Sequence, residues 1–155
     1  MRPGEGLIGM QRTTIDMLLG RLHHTSSDEQ PARALLNAEL DDCKRRLPGL
    51  RAICVSTADG RILAERCDGD VDARRVAAMA SSFLTLGETL AKEVGLNQAS
   101  YATVCTGLGN LVLFRIAAAK PLTLLAVADQ DTVLASLLVA ARDCAGRIAA
   151  GLAAN

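Results

Sequence analysis

The segment Leu122–Ala128 (LTLLAVA) constrains the fold of this chain more than any other stretch. Apart from Thr123 it is apolar on both of the alternating faces that an extended strand presents. Such a strand belongs inside a sheet that is covered on both sides, so helices are required above and below it. Leu50–Thr57 and Leu111–Ala117 are nearly as apolar. Arg61–Cys67 carries Arg61, Glu65 and Arg66, and Tyr101–Thr106 carries a tyrosine and two threonines, so these two read as sheet edges.

Turn chemistry orders the strands. Ala58-Asp59-Gly60 joins the first two as a hairpin, and Gly107-Leu108-Gly109-Asn110 joins the third and fourth. With hairpin partners adjacent and the most apolar strand central, the sheet runs 2-1-5-4-3. Leu36, Leu40, Cys43 and Leu47 give a helix that opens near Pro31 and stops at Pro48-Gly49. Asp70 or Asp72 caps a long middle helix that ends at Gly95, and Asp129 or Asp131 caps a last helix reaching about Leu152. The expected architecture is a three-layer α/β (α+β) fold over residues 31–153. Residues 1–30 read as an N-terminal arm, mobile or weakly docked, with a short apolar stripe Ile15, Leu18, Leu19 and Leu22 before a polar linker.

In the middle helix Val76, Ala80, Phe83, Gly87, Leu90 and Val94 recur at spacings that make one apolar stripe, suited to the sheet. A second face offers Ala78, Ser81, Ser82, Thr85 and Thr89, with Met79 and Leu86 beside it. Small and hydroxyl residues without Lys or Glu among them suit close approach of another helix. An edge strand at Tyr101–Thr106 leaves backbone groups unpaired, and pairing with a second copy satisfies them. The expectation is a two-fold homodimer burying roughly 800 Å² per copy. Its interface residues are Ala78, Met79, Ser81, Ser82, Thr85, Leu86, Thr89, Tyr101, Thr103 and Cys105.

The 155 residues are 50% hydrophobic, 22% charged and 2% aromatic, with seventeen basic residues balancing seventeen acidic ones. That balance argues against nucleic acid as a partner, and the scarcity of aromatics against a base-stacking platform. No apolar run reaches the roughly 20 residues that span a bilayer, and Met1–Gly9 lacks a secretory pattern. A cytoplasmic protein with no membrane insertion is expected. Cys43, Cys54, Cys67, Cys105 and Cys144 are odd in number and show no C-x-x-C spacing, so they read as small hydrophobes in a reducing compartment.

Catalytic signatures are missing. The only histidines, His23 and His24, fall in the arm, which argues against an imidazole-assisted nucleophile. Asp68-Gly69-Asp70-Val71-Asp72 opens like a calcium loop, but Ala73 and Met79 stand where glycine and glutamate are required. Gly107-Leu108-Gly109 lacks the third glycine and the following helix of a dinucleotide site, and there is no P-loop. The expectation is no catalytic residues, no metal and no cofactor.

The element order, the Ser56-Thr57-Ala58-Asp59-Gly60 hairpin before Arg61, the Ala77-Ala78-Met79 segment and the Leu111-Val112-Leu113-Phe114 strand together resemble Roadblock / dynein light chain domains. Bacterial regulators of Ras-like GTPases are the nearest branch of that resemblance, which covers about Ala32 to Leu152. The resemblance implies a profilin-like five-stranded antiparallel sheet, order 2-1-5-4-3, with one helix on one face and two on the other. It also implies homodimerisation through the middle helix and third strand, and binding of a small GTPase or a related assembly, without a catalytic residue to carry over. A dimeric, non-catalytic regulator or platform for a Ras-like small GTPase is the leading expectation. A scaffold subunit of a non-GTPase signalling, polarity or motility assembly is the alternative, and a small-molecule sensor domain the second one.

Overall fold

A computed structural model describes residues 29–155. Helix α1 covers residues 29–46. There follow β1 (Leu50–Thr57), β2 (Ile62–Cys67), α2 (Ala73–Glu93), β3 (Tyr101–Thr106), β4 (Gly109–Ile116), β5 (Leu122–Asp129) and α3 (Leu134–Ala153). The strands form one antiparallel sheet in the order β2-β1-β5-β4-β3, as expected, with β2 and β3 at its edges. Ala34–Asn155 make one compact unit. The helix begins at 29, ahead of the expected boundary at 31, and the rest of the expected arm lies outside the described residues.

Strand alternation divides the core into two layers. Ile53, Val55, Val112, Phe114, Leu124 and Ala126 point to the side where α1 contributes Leu36, Leu40 and Cys43, and α3 contributes Leu137, Ala141, Cys144 and Ile148. Cys54, Leu113 and Leu125 point the other way, under Ala80 and Leu84 of α2. The strand expected to be central, β5, is buried along both of its faces. Burial at about 25 cal/mol per Å² of apolar surface makes this two-sided sheet the principal stabilising layer.

Helix ends show which side chains do the capping. Asp72 caps α2, its Oδ1 accepting from the Arg75 backbone N–H at 3.3 Å. Gly95, at φ +75°, closes the helix with Gly95 N–H to Lys92 O and Leu96 N–H to Ala91 O, the paired bonds of a Schellman turn. The expected aspartate cap on α3 is corrected by the structure. That helix starts beyond extended Val133 and has no side-chain cap. Asp129 instead accepts from the backbone N–H and hydroxyl of Thr132 at 3.0 and 2.8 Å, closing the turn before the helix. The β3–β4 hairpin is also tighter than expected, a two-residue turn at Gly107-Leu108 with Thr106 facing Gly109.

The β1–β2 hairpin docks directly on α2. Gly60 sits at φ +84°, and a Cβ there would lie 2.7 Å from the Ala78 Cα. Gly69 has a similar φ of +74° but open space around it. Gly60→Ala should therefore destabilise the domain by about 3 kcal/mol, and Gly69→Ala by only about 1 kcal/mol, as measured by chemical denaturation. Equal effects at the two positions would mean that the hairpin does not bear on α2.

Candidate functional site

Five strands spaced about 4.8 Å apart make a sheet roughly 24 Å wide, whereas a helix is only about 10 Å across. Two helices cover one face. On the other, α2 lies alone, and part of that face stays open. The line of α2 against the sheet is Ala73, Ala77, Ala80 and Leu84, with Ser81 beside it. This corrects the expected stripe, of which only Ala80 is buried; Phe83, Leu90 and Val94 are 44%, 63% and 64% exposed. Two lines a quarter-turn apart both fit the helical period, and size decides between them. Alanines let the helix sit close to the strands and to Gly60, and the larger side chains are turned aside.

The displaced stripe forms an apolar flank along the β3 side of α2. Val76, Met79, Ala80 and Phe83 face Val104, Leu111, Leu113 and Leu125 across a groove of about 230 Å³ lined almost wholly by carbon. Leu90 continues the flank, and Leu86 stands on the crest of the helix at 67% exposure. Val76, Phe83, Leu90, Val104 and Leu111 were not expected at a surface site. The periodicity found the helical three but assigned them to the sheet.

Beside this groove runs the β3 edge. Thr106 and Gly109 close a two-residue turn and so form a hydrogen-bonded pair; alternation then turns the N–H and C=O groups of Tyr101, Thr103 and Cys105 outward. Their side chains lie on the α1/α3 side of the sheet, so what these three residues offer the expected strand pairing is their backbone. Tyr101 stacks on Phe114 with ring centroids 5.3 Å apart. Cys105 is exposed, which corrects its reading as a core thiol. The Thr103 hydroxyl is buried with no hydrogen-bond partner.

The expected patch on α2 is likewise divided. Met79 lies on the apolar flank, and Leu86 on the crest. Ser82, Thr85 and Thr89 line the opposite flank with Ala58 of the β1–β2 hairpin, and Ala78 abuts Gly60. Their hydroxyls donate back to the helix carbonyls of Ala78, Ser81 and Thr85 at 3.1, 2.9 and 3.0 Å. Ser81 is only 3% exposed and donates to Thr57 O at 3.3 Å, so it ties α2 to its own sheet and does not offer a surface contact.

Further along that opposite flank is a polar cleft of about 500 Å³, lined by Thr85, Glu88, Lys92, Gln98 and Arg115 among others. Arg115 donates from Nε and Nη2 to the two Glu88 oxygens at 3.1 Å each, and from Nη1 to Thr123 Oγ1 at 3.1 Å. This fork-to-carboxylate pair pins α2 to β4 and neutralises itself. Among the described residues no three His, Cys, Asp or Glu side chains gather as a metal-ligand set. In the acidic loop Asp72 serves as a helix cap and Asp68 pairs with Lys44. The His23-His24 pair lies outside the described residues. No helix among the described residues is long and apolar enough to cross a membrane.

The comparisons with known proteins agree with this geometry. A family model described as the Roadblock/LC7 domain matches residues 36–129. The structure of the gliding protein MglB from Thermus thermophilus superposes with a TM-score of 0.69 at 16% identity, covering 81% of this chain and 92% of that one. A structure of MglB with a tetrameric arrangement gives 0.71 at 16% identity, with coverage of 81% and 92%. Myxococcus xanthus MglB gives 0.65 at 12% identity, with coverage of 81% and 98%. No protein of curated function matches the sequence.

Removing the orphaned hydroxyl with an isosteric side chain should help the fold. Thr103→Val should stabilise the domain by roughly 1 kcal/mol in denaturant titration. A loss of stability would show that the hydroxyl has a partner.

Proposed function

Because the chain belongs to the Roadblock/LC7 domain family, we propose that it acts as a homodimeric, non-catalytic regulator or docking platform for a Ras-like small GTPase. The observation that carries this reading is the juxtaposition of an unpaired strand edge with an apolar helix flank. Two copies related by a two-fold axis pair β3 with β3, and the same operation brings the Met79, Phe83 and Leu90 flanks toward each other. Strand pairing satisfies the outward backbone groups of Tyr101, Thr103 and Cys105, while helix packing covers the groove. The fold is shared with MglB structures, one of them in a tetrameric arrangement, which supports a self-associating role.

A regulator of this kind works by binding one nucleotide state more tightly than the other, since equal affinity shifts no equilibrium. The chain then contributes shape and contacts, and the GTPase supplies its own catalytic groups. A cytoplasmic location follows from such a partner.

Two experiments test the proposal at separate levels. Leu90→Glu should weaken self-association about 100-fold in sedimentation equilibrium, while Thr89→Lys, on the opposite flank, leaves it intact. An unchanged Leu90→Glu dimer would place the interface elsewhere. A Ras-like GTPase encoded beside this chain should bind at least about tenfold more tightly in one of its GDP- and GTP-analogue-loaded forms. Equal affinities with an unchanged hydrolysis rate would remove the regulatory reading and favour a scaffold.

A further inference from the structure

Cys43 and Cys144 lie on the sheet face away from α2, at the packing seam of α1 and α3. They are 2% and 0% exposed. The Cys43 thiol reaches the Ala140 carbonyl of α3 at 3.8 Å, and the Cys144 thiol reaches the Glu39 carbonyl of α1 at 3.7 Å. Each thiol thus reaches the backbone of the other's helix, at the carbonyl one turn before the other cysteine, which brings both side chains to the same point of the seam. Arg147 stands at the same seam, its Nε on Glu39 Oε2 at 2.6 Å and its Nη2 on Asp42 Oδ2 at 3.4 Å.

We infer that Cys43 and Cys144 are a redox-sensitive dithiol, closed to a disulfide between α1 and α3 by peroxide and reopened by thiol reductants. Two independent dispositions of the site support this. One is reach: the thiols come from opposing helices and need no strand rearrangement to meet. The other is a division of acid character. The neighbouring Cys144 side chain draws the Cys43 thiol below its ordinary pKa against the cost of burial, and the Arg147 guanidinium adds to the effect. Its closeness to Cys43, together with burial, pushes Cys144 up. Cys54 has no such help, and burial pushes it up to about 12. Cys43, at the end of α1 and the less deeply buried of the two, is the attacking sulfur and Cys144 the resolving one. Cys43 lies in the last turn of α1, and local opening of that turn is the route by which a molecule as small as hydrogen peroxide would reach it.

The steps balance. The Cys43 thiolate attacks one peroxide oxygen, the O–O bond breaks, and the departing hydroxide takes up the proton lost by Cys43 to leave as water. Cys43 is then a sulfenic acid, oxidised by two electrons. The Cys144 sulfur attacks the Cys43 sulfur, the S–O bond breaks, and the hydroxide leaves with the Cys144 proton as a second water. A dithiol reductant returns both thiols by exchange.

The test treats the full-length Cys105→Ser protein with hydrogen peroxide, because Cys105 is exposed and would otherwise form links between copies. The expected result is an intact mass lower by two hydrogens, a peptide map joining Cys43 to Cys144, and a raised thermal midpoint that dithiothreitol reverses. The further change Cys144→Ser should leave Cys43 over-oxidised and unlinked. A map joining Cys54 to Cys67, or both seam thiols still free when the exposed Cys105 of the unmutated protein is fully oxidised, would overturn the inference. Both decisive readings come from protein whose two seam cysteines are intact, so they stand even if the Cys144→Ser variant fails to fold.

Discussion

Helix α2 packs alone on a sheet face wide enough for two helices, and most of what distinguishes this molecule follows from that mismatch. On the opposite face α1 and α3 share the load, and their side chains bury the central strands. On the α2 face the helix is drawn toward β1 and β2 by Gly60 against Ala78 and by the Ser81 hydroxyl on Thr57 O. It is held toward β4 by the Glu88–Arg115 pair. Those anchors leave Val104 and Leu111 only partly covered, and they expose the large side chains of the helix along the β3 side.

An exposed apolar flank and an unpaired strand edge are separate liabilities in a free chain. In the proposed dimer a single event, the arrival of a second copy, would answer both. Backbone hydrogen bonds would set the register of that encounter, and the Met79, Phe83 and Leu90 side chains would supply the hydrophobic gain. The hydroxyl flank behaves differently. Its serines and threonines donate to their own helix carbonyls, so it asks little of a neighbour. The Cys43–Cys144 seam lies on the other side of the sheet from both.

Most of the fold was legible because burial and alternation agree in sequence. β5 reads as central because LTLLAVA has no polar face, and the edges read from Arg61, Glu65 and Arg66 on one side and the β3 threonines on the other. Asp72 and Gly95 mark the ends of α2 because capping is local chemistry. The cap of α3 was misread because Asp129 has two backbone roles open to it, and the turn with Thr132 prevailed. The site was only half legible. Helical spacing cannot say which of two apolar lines faces a sheet, and the close approach of the Gly60 hairpin that favours alanine over phenylalanine is a tertiary fact. In β3 the expected pairing through backbone groups is compatible with the structure, since alternation turns the N–H and C=O groups of Tyr101, Thr103 and Cys105 to the free edge and their side chains toward the α1/α3 layer.

Completion of the β3 edge by a second copy is tested most directly by hydrogen exchange at the amides of Tyr101, Thr103 and Cys105. Slow exchange is predicted at all three, comparable to the interior strands, with protection that falls on dilution. Rapid exchange at these amides, unchanged across a wide range of protein concentration, would contradict a dimer built on this edge.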